Sequence, residues 1–267
     1  MSSAIALALL LTTITTDTTL DLGRIDFAAR FGKFDGCFVI KEVNTGPMHF
    51  YNEKSCHRRL APCSTFKIFN ALAAIDAGAV EGPDTLLKWD GTPNRRKECE
   101  KDHTLASAIR DSVVWYFQEL ARRIGPERMQ RYLNGCDYGN CDISAGIDTF
   151  WLETSLRISA VEQLRFMERL YNDKLPFKPE AMQAVREMIV LKRGDGWTFS
   201  GKTGTGAGGT EKAVLGWFVG HVRSGDRQFV FAANIHGDGA MGPVLRDIVF
   251  DMLKDLGLIE QAPANTP

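Results

Sequence analysis

The hydrophobic pattern changes period twice along this chain, and that change limits the available folds more than any other feature. Residues 36–40 and 48–51 are short apolar runs flanking Asn44-Thr45-Gly46-Pro47, and they read as two strands joined by a turn. Residues 197–201, 214–222 and 228–234 read as three more strands separated by glycine-rich turns. Between these ends the spacing becomes helical. Ile68, Leu72 and Ile75 recur at helical intervals after Pro62, a residue that suits a helix start, and the pattern stops near Gly78. A long helix is expected over 104–124, stopped by Gly125-Pro126. Ser159-Ala160-Val161-Glu162 is a capping box opening a helix to about Asp173. Leu245, Ile248, Val249, Met252, Leu253 and Leu256 form one stripe on a last helix over 244–256. The economical arrangement is α/β of the α+β type. An antiparallel sheet formed from both chain ends carries flanking helices, and a mainly helical lobe is inserted.

The 267 residues can bury a sizeable core without metal or disulfide staples. No linker rich in Pro, Gly or Ser divides them. A single domain over 21–267 is therefore expected, with a sheet lobe at about 21–60 and 192–267 and a helical lobe at about 61–191. The apolar run over 4–11 is far shorter than the roughly 20 residues of a spanning helix. It has the length of a secretory core, so residues 1–20 are expected to be a signal peptide, although no Lys or Arg precedes the run and no Ala-x-Ala site follows it. Export to the periplasm, without a membrane span, follows. The six cysteines suit an oxidising compartment. Cys136 and Cys141 bracket a short loop, and the hairpin could bring Cys37 near Cys56; each pair could be a bridge or two small buried hydrophobes. No cysteine has metal-site spacing, so no metal is expected. With 32 Lys+Arg against 33 Asp+Glu there is no global field for a polyanion. His57-Arg58-Arg59 and Arg95-Arg96-Lys97 read as solvated surface, and no nucleic-acid partner is expected.

One motif misleads. Residues 196–203 match the G-x-x-x-x-G-K-[ST] phosphate loop in full. That loop needs a strand before its first glycine and a helix from its lysine, because helix-terminal amides cradle the phosphates. Here Lys192-Arg193-Gly194-Asp195 reads as a turn, and the glycine-rich run from Gly204 to Gly209 cannot nucleate a helix. The phosphate loop is rejected.

The chemistry lies elsewhere. Ser64-Thr65-Phe66-Lys67 places a hydroxyl and an amine three residues apart at a helix start, on one face. A serine is a weak nucleophile until a neighbouring base takes its proton. Lysine can be that base only if its amine is desolvated or chemically changed, since its free pKa is about 10.4. A helix N-terminus also directs amide dipoles at a developing oxyanion. Ser112-Val113-Val114 follows within the long helical segment, and Lys202-Thr203-Gly204 ends a strand. The lysine, hydroxyl and bare backbone of the last motif suit a carboxylate-bearing substrate docked along a strand edge. S-x-x-K followed by K-T-G is the combination of the acyl-serine, penicillin-recognising enzymes.

With Tyr138-Gly139-Asn140, Phe150-Trp151-Leu152-Glu153 and Trp217-Phe218-Val219-Gly220 added in order, the chain resembles the class D (OXA-type) serine β-lactamases over nearly all of 36–246. The resemblance implies an acyl-enzyme on Ser64 and a carbamylated Lys67 (N6-carboxylysine) as general base, with carbon dioxide or bicarbonate in place of any cofactor. Trp151 would hydrogen-bond the carbamate, with Val114 and Leu152 shielding it. Ser112 and Lys202 would relay protons to the lactam nitrogen. Thr203, Gly204 and Arg246 would line the substrate-carboxylate subsite, and the amides of Ser64 and Thr205 would form the oxyanion hole. The product would be a hydrolysed β-lactam and, for the cell, antibiotic resistance. The partner would be a small-molecule β-lactam, and the enzyme a monomer or homodimer. Cys99 and its neighbours replace a Trp found a few residues before Asp-His in many relatives, which alters one wall of the cleft. Cys63 reads as packing, and no histidine is assigned catalysis. A β-lactam sensor domain shares these motifs but lies behind transmembrane helices, and a penicillin-binding DD-peptidase would leave Trp151 and the Tyr-Gly-Asn loop without roles. The hydrolase is the expected function.

Overall fold

The structure is a computed structural model that describes residues 20–94, 96–207 and 214–260. The expected signal peptide, apart from its last residue, lies outside them.

A short helix, α1 (Phe27–Phe31), begins where the Asp26 carboxylate accepts from the Ala29 amide, and it leads into β1 (Asp35–Glu42). The hairpin expected around Asn44-Thr45-Gly46-Pro47 forms, since β1 pairs antiparallel with β2 (His49–Tyr51). After α2 (Glu53–Cys56) the chain enters α3 (Lys67–Asp76) through a tight 3-10 turn, Cys63–Phe66. A small ladder joins β3 (Leu86–Leu87) to β4 (His103–Thr104). The helices α4 (Leu105–Arg110), α5 (Val114–Ile124), α6 (Pro126–Cys136), α7 (Ala160–Tyr171) and α8 (Pro179–Met188) follow. The chain then returns to the sheet as β5 (Val190–Gly194), β6 (Trp197–Gly206), β7 (Leu215–Ser224) and β8 (Arg227–His236), and closes with α9 (Gly242–Asp255).

The six-stranded sheet has the order β2-β1-β8-β7-β6-β5, and every neighbouring pair is antiparallel. β1 and β8, from opposite ends of the chain, pair from Asp35 against His236 to Glu42 against Phe229. This is the α+β sheet expected from the two-ended strand pattern. Its strands are apolar without alternation because both faces are covered. Cys37 and Val39 pack towards the helical lobe while Phe38 and Ile40 pack under α9, and Trp217 and Val219 oppose Phe218 and Val222 in the same way. Among the described residues no helix is long and apolar enough to cross a membrane.

Three local readings need correction. The single helix expected over 104–124 is two helices broken at Ser112, which sits at φ 55°. Asp and Ser side chains compete for backbone partners, and β-branched Val113 is extended, so the break falls where helix propensity is weakest. The turn read at Lys192-Arg193-Gly194 belongs to β5, its register fixed by pairing with β6. The phosphate loop still fails, because Lys202 and Thr203 lie in β6 rather than at a helix start. Finally, α6 and α8 escaped notice, although each carries proline in its first turn, where a missing N–H costs nothing. The capping box was legible: Ser159 Oγ accepts from the Glu162 amide at 3.2 Å and Glu162 Oε2 accepts from the Ser159 amide at 2.8 Å.

Candidate active site

The Cys63–Phe66 turn is clamped from below before any reactive group is considered. Thr65 Oγ1 donates to Pro62 O at 2.7 Å and accepts from Gln163 Nε2 at 2.7 Å, while Tyr138 OH donates to Gln163 Oε1 at 3.3 Å. Trp217 Nε1 in β7 donates to Ala61 O at 3.0 Å. Cys63 adopts φ 51°, and its buried thiol donates to Ala61 O at 3.6 Å. Burial raises that thiol to about 12, which fits packing rather than nucleophilic chemistry. The clamp leaves Ser64 half-buried at the turn's mouth, with Lys67 Nζ 2.8 Å from Ser64 Oγ.

Lys67 is fully buried. Its amine lies 5.6 Å from the centre of the Phe117 ring, and Phe66 stacks on Trp151 at 5.3 Å. An ammonium ion in such surroundings loses its hydration without a counter-charge. Burial therefore lowers Lys67 to about 7, and the Arg96 cation pushes the same way. Trp151 is also fully buried, and its Nε1 has no hydrogen-bond partner among the described residues. Phe66, next to Lys67 in the chain, stacks on this indole, so the buried lysine and the buried donor belong to one apolar cluster.

The Tyr138-Gly139-Asn140 loop holds the segment that delivers Trp151. Asn140 Oδ1 accepts from the Arg157 amide at 2.8 Å, and Asn140 Nδ2 donates to Ser155 O at 2.9 Å. Gly139 sits at φ 63°, and a Cβ there would stand 2.1 Å from Arg157 O. Gly139→Ala is expected to destabilise the fold by on the order of 3 kcal/mol, from left-handed strain plus displaced backbone. Urea unfolding checks this, and a loss below about 0.5 kcal/mol, the usual surface range, would refute the account.

The third wall is β6. Its partner β5 reaches only as far as Val190 opposite Ser200, so from Lys202 to Gly206 β6 has one neighbour, β7. The other edge faces the nucleophile turn. Gly204 permits this approach, since a Cβ there would stand 3.0 Å from Pro62 O and 3.2 Å from Thr65 Cγ2. Lys202, 5% exposed, donates to Ser112 Oγ at 3.0 Å and to Thr203 O at 3.1 Å. Burial lowers its pKa, and the charges at Lys67 and Arg96 lower it further. The break at Ser112 therefore has a use, since it presents the Ser112 hydroxyl to Lys202 across the cleft.

Other expected residues fall around this centre. Val114 opens α5 beside Ser112, and Leu152 follows Trp151, both half-buried. Thr205 is exposed near the end of β6, its Oγ1 accepting from the Gly242 amide at 3.0 Å. Thr203 and Arg246 share a cavity of about 80 Å³ with Lys202 and Arg110. Arg246 is bound to Asp247 at 2.9 Å in this structure. Much of the 206–211 loop lies outside the described residues. So does Arg95, but its neighbour Arg96 is not the free surface charge expected: it is docked on the Ser112 break. All six cysteines are free thiols. Cys37 and Cys56 lie close enough to perturb each other, the first thiol lowered and the second raised, and Cys56 Sγ donates to Tyr51 O at 3.6 Å. Cys141 reaches Leu133 O at 3.4 Å rather than bridging to Cys136. Among the described residues no cluster of His, Cys, Asp or Glu could hold a metal ion.

Sequence reasoning missed Arg96, Arg110 and Gln163. Gln163 stands one residue past the capping box and had no signal beyond its place on a buried helix face.

Comparison with known proteins agrees with this geometry. The family model described as the penicillin binding protein transpeptidase domain matches residues 34–253. The probable β-lactamase YbxI of Bacillus subtilis (strain 168) is 40% identical over 240 residues, covering 90% of this chain and 88% of the relative. The structure of the class D β-lactamase BAT-2 superposes with a TM-score of 0.85 at 39% identity, covering 91% of this chain and all of that one. The C-terminal domain of the Bacillus licheniformis BlaR penicillin-receptor superposes with a TM-score of 0.84 at 36% identity, covering 88% of this chain and 96% of that one. A buried lysine against a serine, a second serine–lysine pair across the cleft and this degree of likeness place the chain in the class D β-lactamase family, hydrolases built on a penicillin-binding transpeptidase fold.

Proposed function

We propose that this protein hydrolyses the β-lactam amide through an acyl-enzyme on Ser64, with Lys67 as the base in both halves of the reaction. The observation that carries the reading is the Lys67 amine, fully buried and 2.8 Å from Ser64 Oγ. A neutral amine can take up carbon dioxide and release a proton, and the resulting carbamate supplies a base with oxygen acceptors that the Trp151 N–H can hold. Ser64 Oγ loses its proton to the base at Lys67 and bonds to the lactam carbonyl carbon. The amides of Ser64 and Thr205 receive the oxyanion, and each such donor contributes about 3–4 kcal/mol in the transition state. Ser112 and Lys202 deliver a proton to the lactam nitrogen as its bond to the carbonyl carbon breaks. Thr203 and Arg246 hold the ring carboxylate, which requires Arg246 to leave Asp247. Water, deprotonated at Lys67, then releases the acid. This chemistry would protect a bacterium from β-lactam antibiotics, and export to the periplasm as a single catalytic domain over 21–267 is part of the same proposal.

A second reading is favoured by one observation, the likeness to a penicillin-receptor domain. A receptor would be acylated on Ser64 and stay so. Mixing the protein with a chromogenic cephalosporin separates the two: sustained turnover, with a transient covalent mass gain, is expected. A single stoichiometric burst would sink the hydrolase and leave the receptor.

A further inference from the structure

The break at Ser112 has an unexpected neighbour. Arg96 Nη2 donates to the carbonyl of Asp111, to Ser112 O at 3.2 Å and to Cys99 Sγ at 3.1 Å. These carbonyls lie just past the end of α4, where helix acceptors lack internal partners, so the guanidinium acts as a side-chain cap. The loop beneath it is fixed as well, because Trp115 Nε1 donates to Cys99 O at 2.8 Å. Arg96 is thus held against a residue whose hydroxyl binds Lys202, yet its side chain remains 45% exposed.

The surrounding charges offset it only from the solvent side. Glu100 is paired with Lys97 and Asp111 with Arg110, while Arg96 pairs with Glu98 at 3.5 Å, a carboxylate that is 58% exposed and so a weak partner. The field of Arg96 reaches both Lys67 and Lys202, disfavouring the charged form of each. Cys99 beneath the guanidinium is small and 1% exposed.

We propose that Arg96 is a specificity-determining residue that favours β-lactams carrying a second anionic group on the side chain over those carrying a side-chain ammonium. The physical basis is Coulombic. A cation held on the backbone of Ser112, the residue whose hydroxyl binds Lys202, attracts a dianionic substrate and repels the cationic end of a zwitterionic one. Contact is unnecessary, since charges several ångströms apart in a protein cleft are only partly screened.

This inference rests on acylation of Ser64 but not on turnover, so the rate to measure is covalent mass gain on the full chain. Three penicillins serve as probes: carbenicillin with a side-chain carboxylate, benzylpenicillin with a neutral side chain, and ampicillin with an amine. Arg96→Gln is expected to lower the carbenicillin-to-ampicillin ratio of second-order acylation rates by about tenfold, with benzylpenicillin between them. Arg96→Lys, which keeps the charge but not the three-way clamp, is expected to hold the ratio within about threefold of wild type. In the unaltered protein the same ratio should fall as ionic strength rises to about 1 M, where the screening length is about 3 Å. The salt series needs no variant to fold. Equal slowing of all three penicillins in Arg96→Gln, or a ratio indifferent to salt, would show that Arg96 only braces the Ser112 break. If no penicillin forms an adduct, the Ser64 reading itself fails and the role of Arg96 fails with it.

Discussion

Lys67→Met is expected to slow turnover by about 100-fold or more while raising the melting temperature. The two effects share one cause. Lys67 is fully buried, and burial lowers its amine from the ordinary 10.5 to about 7. A lysine with a depressed folded-state pKa binds fewer protons in the native state than in the unfolded chain. Between about pH 7 and 10.5 its contribution to stability therefore improves as pH rises, and below about 7 the penalty is complete. That penalty is on the order of 5 kcal/mol, an upper figure because buried sites relax. Methionine fills a similar volume without a charge, so the variant should recover part of it, most visibly at pH 6. Loss of a positioned base should slow the reaction by about 100- to 10,000-fold. In the unaltered enzyme the acid limb of activity should fall near pH 7, and activity lost in carbon-dioxide-depleted buffer should return with bicarbonate. A Met variant that melts lower at pH 6 and retains turnover would contradict the assigned role.

How much of this was legible in the residues depends on whether a feature is local. Ser64 and Lys67 were readable because a helix turn alone brings positions three apart together. The sheet was readable because Cys37 to Ile40 and residues 214–234 carry strand composition at opposite ends, and two-ended strands have few ways to pair. Ser112 was found as a motif yet placed in a continuous helix. Its left-handed break is capped by Arg96, sixteen residues upstream, and no window of periodicity spans that distance. The same gap made Arg96 look like solvated charge. The orphaned N–H of Trp151 is likewise a property of the assembled core: the residue can be named from sequence, but whether its donor is satisfied depends on Phe66 and Phe150 packing around it. β5 was read as a turn because Lys192, Arg193 and Gly194 are exposed edge residues, and an edge strand need not alternate.

Trp151 offers the sharpest separation of the reaction's two halves. The indole has two roles, packing and donation. It stacks on Phe66 at 5.3 Å and meets Phe150 edge-on at 5.0 Å, while its Nε1 has no acceptor among the described residues. Trp151→Ala removes both and should cost about 3–5 kcal/mol through the cavity it leaves, confounding any kinetic result. Trp151→Phe removes the donor and keeps most of the packing. If the N–H holds a carbamate on Lys67, the phenylalanine variant should still be acylated, because a neutral amine 2.8 Å from Ser64 Oγ can still accept its proton. Deacylation is slower to recover, since water must be activated with the ester already occupying the cleft and the carbamate no longer anchored. The expected result is a pre-steady-state burst followed by turnover reduced about 100-fold, with covalent mass on Ser64 persisting and partial rescue by bicarbonate. Equal slowing of acylation and deacylation without a bicarbonate response would mean that the indole only packs, and the buried donor would then need another partner.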